Sequence, residues 1–284
     1  WRPMWRPCAA VVLGLGLAWA LPPGRPHTHE IQWTVQSPDQ PELLIVSAGG
    51  VGTSDLMHEL RTLPQLAAVM NKENGLKHAP LTRQVLQHST EITNVRRILY
   101  LWGEPTHAAE SCYRRGFAAM QAVKTRTDPL ADGTFKPPNW DSEYVAKGVP
   151  KTIEDYAAAE GDVFQFYEHL ASYLHPGKDL LANLTALLID GSPPELAFLQ
   201  MEHKTEHLDQ LASFLGIFGD VTANLLNSTL TPWDSQRPDD HSPVHDAIDA
   251  KFKALRQMTA SIPGGGFHNF GSMKAVSRRE QPTY

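Results

Sequence analysis

A glycine-rich turn lies between a short apolar run and a stretch with helical periodicity. Residues 43–60 have the sequence LLIVSAGGVGTSDLMHEL, which predicts a buried strand, a tight loop and a helix. Backbone N–H groups in such a loop, with the positive end of the next helix, can bind a phosphate or a sulfate. Glycine allows positive φ angles and a close approach of the ligand. We therefore predict an anion site formed by Gly49, Gly50, Val51, Gly52, Thr53 and Ser54.

The end of this loop excludes one common function. The Gly-Lys-Ser/Thr ending of a nucleoside-triphosphate P-loop is absent, so ordinary kinase or ATPase chemistry is not expected. A glycine turn between a strand and a helix can also be only a tight turn, and the loop alone does not separate the two interpretations.

A second candidate anion site follows a second apolar run, residues 98–102. Pro105 is typical of the first turn of a helix, which we expect to continue to about Lys124. On this helix Ser111 and Arg115 share one face and Arg114 lies close to it. A hydroxyl and two guanidinium groups suit a phosphate monoester, although an exposed helix face with two solvated arginines is the plainer interpretation.

Two successive strand–turn–helix units predict a parallel sheet of the α/β class. The carboxyl ends of parallel strands meet at one edge, so the two segments could bind opposite ends of one nucleotide. Along the chain we predict further helices at 54–70, 81–88, 153–174, 206–215 and 243–259, a third strand at 186–190, and surface loops at 71–80 and 125–150. The last of these helices is expected to have Ser242 as its cap.

In short patches between about Glu42 and Ile217 the chain resembles the sulfotransferase superfamily. Residues 50–54 are similar to that family's 5′-phosphosulfate loop, and Gly103-Glu104-Pro105 with Ser111 is similar to its Arg-Asp-Pro…Ser segment for the 3′-phosphate. Residues 75–81 resemble the Lys-Thr-His-Leu-Pro segment, and residues 209–217 the late helix that ends in Phe-Leu-Gly. The resemblance implies a three-layer, P-loop-like α/β fold, with a central parallel sheet flanked by helices.

The chain departs from the family pattern at positions that matter for catalysis. Gly50 stands where the family loop has Lys or Arg, and Gly103 replaces the Arg of Arg-Asp-Pro. We find no clear match to the C-terminal Arg-Lys-Gly segment, for which Arg278 and Arg279 are the nearest substitutes. These departures leave open whether the chain transfers sulfate or only binds the nucleotide.

The resemblance also implies the chemistry. The co-substrate would be 3′-phosphoadenosine 5′-phosphosulfate (PAPS), and a hydroxyl or amine of a glycan, a lipid or a small metabolite would attack its sulfur. We expect His78 to be the base, because imidazole titrates near working pH, and Lys77 to replace the missing loop lysine. His107 and Glu104 are weaker candidates for the base.

Two histidine pairs have the spacing of metal ligands on a helix, His203 with His207 and His241 with His245. Neither pair has the His-Glu-x-x-His order or an evident third ligand. We interpret both as charged, exposed helix faces and expect no metal.

Residues 1–20 resemble a secretory signal peptide or a signal anchor, with basic Arg6, an apolar stretch and Ala18-Trp19-Ala20. A polar lead-in (21–40), an α/β domain (41–262) and a flexible, glycine-rich basic tail (263–284) are expected to follow.

Asn183 and Asn227 begin glycosylation sequons. We expect the Golgi lumen or secretion, with a plastid as the alternative, and membrane attachment only through an uncleaved anchor. The formal net charge of −6 and scattered basic residues exclude a nucleic-acid surface.

Three functions are compatible with these features. The first is a secretory-route sulfotransferase, and the second a nucleotide-sugar glycosyltransferase, whose Gly-Gly-x-Gly-Thr turns hold a diphosphate. The third is a catalytically silent relative that binds the nucleotide alone.

Overall fold

A four-stranded sheet forms the centre of the computed structural model, which describes residues 42–63, 76–128, 148–217 and 243–275. The strand order is β1 (Leu43–Val46), β2 (Arg97–Trp102), β3 (Glu195–Gln200) and β4 (Phe267–Ser272). β1, β2 and β3 are parallel, while β4 runs antiparallel to β3. The predicted α/β class with a mostly parallel sheet is confirmed.

The parallel strands are buried nearly throughout. All four residues of β1 and the four central residues of β2 and of β3 are buried. Their side chains alternate between the two faces of the sheet, so both faces are covered. These strands are therefore enclosed between other elements, and their carboxyl ends meet at one edge.

Helices and 3₁₀ turns connect and cover the strands. Between β1 and β2 lie α1 (Thr53–Arg61), η1 (Leu76–His78) and α2 (Leu81–Gln87). Between β2 and β3 lie α3 (Pro105–Arg114), α4 (Ala118–Lys124), α5 (Ile153–Ala158), α6 (Phe166–Leu174) and α7 (Lys178–Leu187). Between β3 and β4 lie η2 (Met201–His203), α8 (Leu208–Leu215), α9 (Pro243–Lys251) and α10 (Lys253–Ala260).

Several predicted boundaries are confirmed. Pro105 begins α3, and the Glu104 side chain accepts a hydrogen bond from the Thr106 N–H as an N-terminal cap. α8 ends at Gly216, whose φ of 72° is the left-handed conformation that glycine adopts at helix ends. The first two strands also lie where the apolar runs predicted them.

Three long predicted helices are broken, and the predictions were wrong there. Helix 105–124 stops at Gly116, where φ is 70°, and restarts as α4. Helix 153–174 is interrupted at Gly161 and Asp162, where the Asp162 carboxylate accepts backbone N–H groups of the following turn. The C-terminal helix divides into α9 and α10 at Phe252. The helical spacing of apolar residues continues across each break. Periodicity alone therefore could not predict where these helices end.

The predicted third strand at 186–190 was also wrong. This part of the chain ends α7, because Leu181, Leu184 and Leu188 are buried at helical spacing while Ile189 is 74% exposed. The third strand is β3, which follows Pro193-Pro194.

The tail beginning at residue 263 was predicted to be flexible, yet it contains β4. Phe267 and Met273 are buried against the rest of the core. Several predicted features lie outside the described residues: the signal segment, residues 129–147 of the predicted 125–150 excursion, Ser242, and Arg278 with Arg279. No helix within the described ranges has the length and apolar character needed to cross a membrane.

Candidate functional site

The loop after β1 has the backbone conformation that its glycines predict. Gly49, Gly50 and Gly52 have φ angles of 96°, 74° and 72°. A Cβ atom on Gly50 would lie 2.4 Å from the Ala108 carbonyl oxygen and 2.7 Å from the Ala108 Cα atom. The loop therefore packs directly on the backbone of α3, and position 50 admits no side chain.

Most N–H groups of this loop have no hydrogen-bond acceptor among the described residues. The Gly49 N–H donates to Ser47 Oγ at 3.1 Å, and the Asp55 and Leu56 N–H groups bond within the first turn of α1. Five consecutive N–H groups between them have no acceptor among the described residues, those of Gly50, Val51, Gly52, Thr53 and Ser54. With the N-terminus of α1 they form a nest of donors suited to an anion.

Lys77 brings a positive charge to the end of this loop. Its Nζ atom donates to Ser54 Oγ at 2.8 Å, although the side chain is only 8% exposed. The Lys77 carbonyl oxygen accepts from the Ser47 N–H at 2.8 Å, which places η1 beside the end of β1. A segment 23 residues further along the chain thus supplies the cation that position 50 cannot hold.

His78 lies beside Lys77 and is fixed by the same strand. Its Nδ1 atom is 3.0 Å from the Ser47 carbonyl oxygen, so Nδ1 is the protonated nitrogen and Nε2 has a free lone pair. Burial, with a smaller contribution from the charges of Lys77 and Lys124, lowers the pKa of His78 to about 3, although the hydrogen bond to Ser47 opposes the shift. The imidazole is therefore neutral at every physiological pH, and the expectation that it titrates near working pH was wrong.

A buried hydrogen-bond chain holds η1 in place. Tyr100 Oη lies 2.9 Å from His169 Nδ1, and His169 Nε2 donates to the His78 carbonyl oxygen at 3.2 Å. Burial lowers the pKa of His169 to about 3, so this ring is neutral as well. Tyr173 on α6 also donates to the Ala79 carbonyl oxygen at 2.6 Å. Strand β2 and helix α6 thereby determine where Lys77 and His78 lie.

Helix α4 covers the start of the loop. Gln121 Nε2 donates to the Ala48 carbonyl oxygen at 2.7 Å, and Arg83 donates to the carbonyl oxygens of Val123 and Lys124. The sequence analysis missed Gln121, Arg83 and Lys124, as well as Tyr100 and His169. The spacing of Gln121 and Lys124 by three residues could have put them on one helix face, but nothing local shows that this face meets the loop.

The second predicted segment is acidic where the family pattern is basic. Glu202 Oε1 accepts from the Glu104 N–H at 2.8 Å and lies 2.9 Å from where a Gly103 Cβ would be. The Glu104 carboxylate is paired with Arg256. A phosphate placed at Gly103 and Glu104 would lie close to the Glu202 carboxylate, so this segment is a poor anion site.

Ser111, Arg114 and Arg115 lie further along α3. Ser111 is half-buried and one helical turn beyond Ala108, the residue that contacts Gly50. Arg114 and Arg115 are exposed. The Arg115 Nε atom donates to the Ser111 carbonyl oxygen, and its guanidinium lies over the Phe117 ring at 5.6 Å. Ser111 is thus on the loop's side of α3, while no contact joins the two arginines to the loop among the described residues.

A narrow cavity separates the loop from β2. It is lined mainly by apolar groups of Ala48, Val51, Trp102, Ala108, Phe166 and Leu255. Its volume of about 30 Å³ is enough for about two water molecules and too small for a nucleoside. A nucleoside held by the loop would therefore not fit inside this cavity.

The remaining histidine candidates have other partners. His203 Nδ1 lies 3.0 Å from Glu206 Oε1, and His245 Nδ1 lies 3.0 Å from Glu110 Oε1. The His107 ring packs against His245 with centroids 5.9 Å apart. Within the described ranges no group of three His, Cys, Asp or Glu side chains could hold a metal ion, and His241 lies outside them.

The chain matches no protein-family profile, no curated protein and no solved structure. The chemistry of the site is accordingly inferred from its own residues.

Proposed function

We propose that the chain is a PAPS-dependent sulfotransferase whose glycine loop holds the 5′-phosphosulfate. The observation that supports this most strongly is the row of five N–H groups, from Gly50 to Ser54, that have no acceptor in the described part of the chain. Such donors, together with a helix N-terminus, favour a tetrahedral anion. Lys77 donates to Ser54 at the end of the same row, so an amino group lies beside the backbone donors.

The proposed role of Lys77 is to stabilise negative charge on the leaving group. A bound PAPS supplies an activated sulfuryl group whose departure leaves charge on the bridging oxygen. A buried ammonium beside Ser54 is well placed for such stabilisation, because a charge in a water-poor site interacts more strongly than in water. In this account Lys77 replaces the loop lysine that Gly50 lacks.

The proposed fold is the three-layer, P-loop-like arrangement. Burial of both faces of β1, β2 and β3 supports helices on each side of the sheet. The loop also follows the carboxyl end of β1, and ligands of α/β sheets bind outside the carboxyl ends of the strands.

For the other end of the nucleotide we propose Ser111, with Arg114 and Arg115 at the mouth of the site. Three residues of helix rise about 4.5 Å, so Ser111 lies within reach of a ligand held at Gly50, which touches Ala108. The two exposed guanidinium groups could close on a 3′-phosphate by rotation of their side chains. The carboxylates near Gly103 orient this phosphate away from the end of β2.

His78 is the proposed acceptor of the substrate proton. Its Nδ1 hydrogen bond to Ser47 fixes the tautomer that leaves the Nε2 lone pair free. Burial keeps the pKa of His78 at about 3, so the ring is a weak base. It can accept the substrate proton only if proton transfer and sulfuryl transfer occur in the same step.

A catalytically silent nucleotide-binding protein is the second candidate. The same low pKa of His78 favours it, because a protonated His78 would be costly in this site. Binding of the nucleotide is common to both candidates, and only transfer separates them.

The acceptor is proposed to be a hydroxyl or amine of a glycan, a lipid or a small metabolite in the secretory pathway. Asn183 is exposed on α7, so its sequon is accessible for glycosylation. Asn227 lies outside the described residues.

Thermal unfolding with adenosine 3′,5′-bisphosphate tests the proposal. Ligand at about 100 times its dissociation constant should add roughly 2.7 kcal/mol to the free energy of unfolding. We expect a clear rise in Tm for the wild type and a smaller rise for Lys77→Met, with uridine diphosphate as the comparison ligand. A rise with uridine diphosphate alone would support a glycosyltransferase. Binding without transfer of labelled sulfate to any acceptor would support the silent relative.

A further inference from the structure

Lys124 is a buried cation at the end of α4. Its side chain is 8% exposed. It lies one helical turn beyond Gln121, whose amide donates to the Ala48 carbonyl oxygen at the start of the glycine loop. Residues three apart share a helix face, so Lys124 is on the side of α4 that meets the loop.

The surroundings of Lys124 are positively charged. Burial and the charges of Lys77 and Arg83 lower the pKa of Lys124, and the Lys124 charge in turn lowers that of His78. Across the described ranges the Lys124 ammonium has no hydrogen-bond acceptor and no carboxylate partner. A buried cation among other cations is costly unless an anion compensates it.

We propose that Lys124 binds the same ligand as the glycine loop and Lys77, so that the site takes two adjacent tetrahedral anions rather than one. The loop donors and Lys77 hold the first group at Ser54. Lys124, on the α4 side, holds the second. This inference rests on the proposed function and adds Lys124 as the residue that holds the second group of a phosphosulfate or diphosphate.

The favourable energy of such a ligand has a simple origin. A single phosphate would satisfy the loop donors and one ammonium. A second anionic group would also compensate the charge of Lys124, which is held near Lys77 by the packing of α4 on the loop. A charged hydrogen bond in a partly buried site contributes about 1.5–3 kcal/mol, which corresponds to roughly 10- to 150-fold in affinity.

Calorimetric titration with pyrophosphate and with inorganic phosphate tests this inference. We expect the wild type to bind pyrophosphate at least about tenfold more tightly than phosphate. Lys124→Met should abolish that preference by weakening pyrophosphate alone, while Lys124→Arg should keep most of it. Lys151→Met, which removes an exposed lysine before α5, is the matched control and should match the wild type.

The outcomes separate this inference from the proposed function. If the wild type binds neither probe nor adenosine 3′,5′-bisphosphate, both fail. If the wild type binds pyrophosphate and a folded Lys124→Met binds it equally well, only the role of Lys124 fails. If Lys124→Met weakened the binding of pyrophosphate and of inorganic phosphate equally, the proposal that the site takes two adjacent anions would be contradicted.

Proton uptake gives a measurement that needs no variant. An anion beside Lys124 should raise its lowered pKa, so wild-type binding at alkaline pH should take up protons. Binding heats that are independent of the buffer's ionisation enthalpy would contradict the contact. The charges of Lys77 and Arg83 also lower the pKa of Lys124, and the charge of Lys124 lowers the pKa of His78. These three are therefore the other ionisable groups that a bound anion could affect.

Discussion

At the scale of single residues, position 50 explains how this loop differs from the sulfotransferase loop that it resembles. The Gly50 backbone touches the Ala108 backbone, and its φ of 74° disfavours any side chain. A lysine there would have to separate the loop from α3. Lys77 reaches the loop from η1 instead, and the departure at Gly50 is therefore compatible with an intact anion site.

Replacing Gly50 by alanine should destabilise the protein strongly. The new Cβ would overlap the Ala108 carbonyl oxygen, which is backbone and cannot move aside like a side-chain end. We expect a loss of at least about 3 kcal/mol in the free energy of unfolding, from strain of about 1 and overpacking of about 2 kcal/mol. Gly161→Ala is the control, because Gly161 has a φ of 73° with nothing within 4 Å, and urea unfolding measures both. Equal losses in the two variants would contradict the close packing.

Replacing His78 by asparagine should separate binding from turnover. Asparagine can still donate to the Ser47 carbonyl oxygen but has no counterpart of Nε2. We expect adenosine 3′,5′-bisphosphate to bind within about threefold of the wild type while sulfate transfer falls by about 10²–10⁴. Unchanged turnover would remove His78 from the reaction.

At the scale of elements, the sequence was informative where a local signal determines the structure. The glycines at positions 49, 50 and 52 predicted the loop after β1, Pro105 predicted the start of α3, and Gly216 predicted the end of α8. The strand predicted at 186–190 failed because a short apolar run fits a strand and a helix equally well. β4 was not predicted because its sequence, which contains Gly, His and Asn, lacks the alternating pattern of a strand. This segment forms a strand by pairing with β3.

The candidate site shows the same division. The loop and Lys77 with His78 could be identified from their own segments, and the structure brings them together. Lys124, Gln121 and the pair Tyr100 with His169 could not, since each reaches the site only through packing of a distant element. The acidic character near Gly103 depends on Glu202, 99 positions away in the chain.

The chain of hydrogen bonds from Tyr100 through His169 to η1 should give the stability a marked pH dependence. The folded-state pKa of His169 is about 3 and the ordinary value is 6.5, so between these values the unfolded state binds more protons. The free energy of unfolding therefore falls on acidification through this window, by up to about 1.4 kcal/mol per pH unit for this ring. His169→Gln should reduce the slope between pH 6 and 4.5 by that amount.

Tyr100→Phe is the control for this experiment. It leaves the ring of His169 without its hydrogen-bond donor, which should cost about 1–3 kcal/mol at every pH while the slope stays the same. The raised pKa values of Asp162 and Glu168 act in the opposite direction and are common to all three proteins. Identical slopes for the wild type and His169→Gln in urea unfolding would show that His169 is not held neutral.

At the scale of the whole molecule, three parallel strands deliver groups of opposite charge to one edge of the sheet. The loop, Lys77 and Lys124 make the β1 end positive, whereas the Glu202 carboxylate lies near the ends of β3 and β2, and Glu104 is paired with Arg256. Since the chain has a formal net charge of −6, the positive charge is local to this corner. We expect this asymmetry to direct the anionic part of a bound ligand to the glycine loop.

The central claim is that the loop N–H groups bind an anionic nucleotide, and amide NMR tests it most directly. On titration of ¹⁵N-labelled protein with adenosine 3′,5′-bisphosphate, we predict saturable downfield shifts of the amide protons of Gly50, Val51, Gly52, Thr53 and Ser54. The Gly49 amide, already bonded to Ser47, should move less. The account would be contradicted if the nucleotide shifted other amide signals but left those of Gly50 to Ser54 unchanged. It would also be contradicted if the nucleotide shifted no amide signal at all.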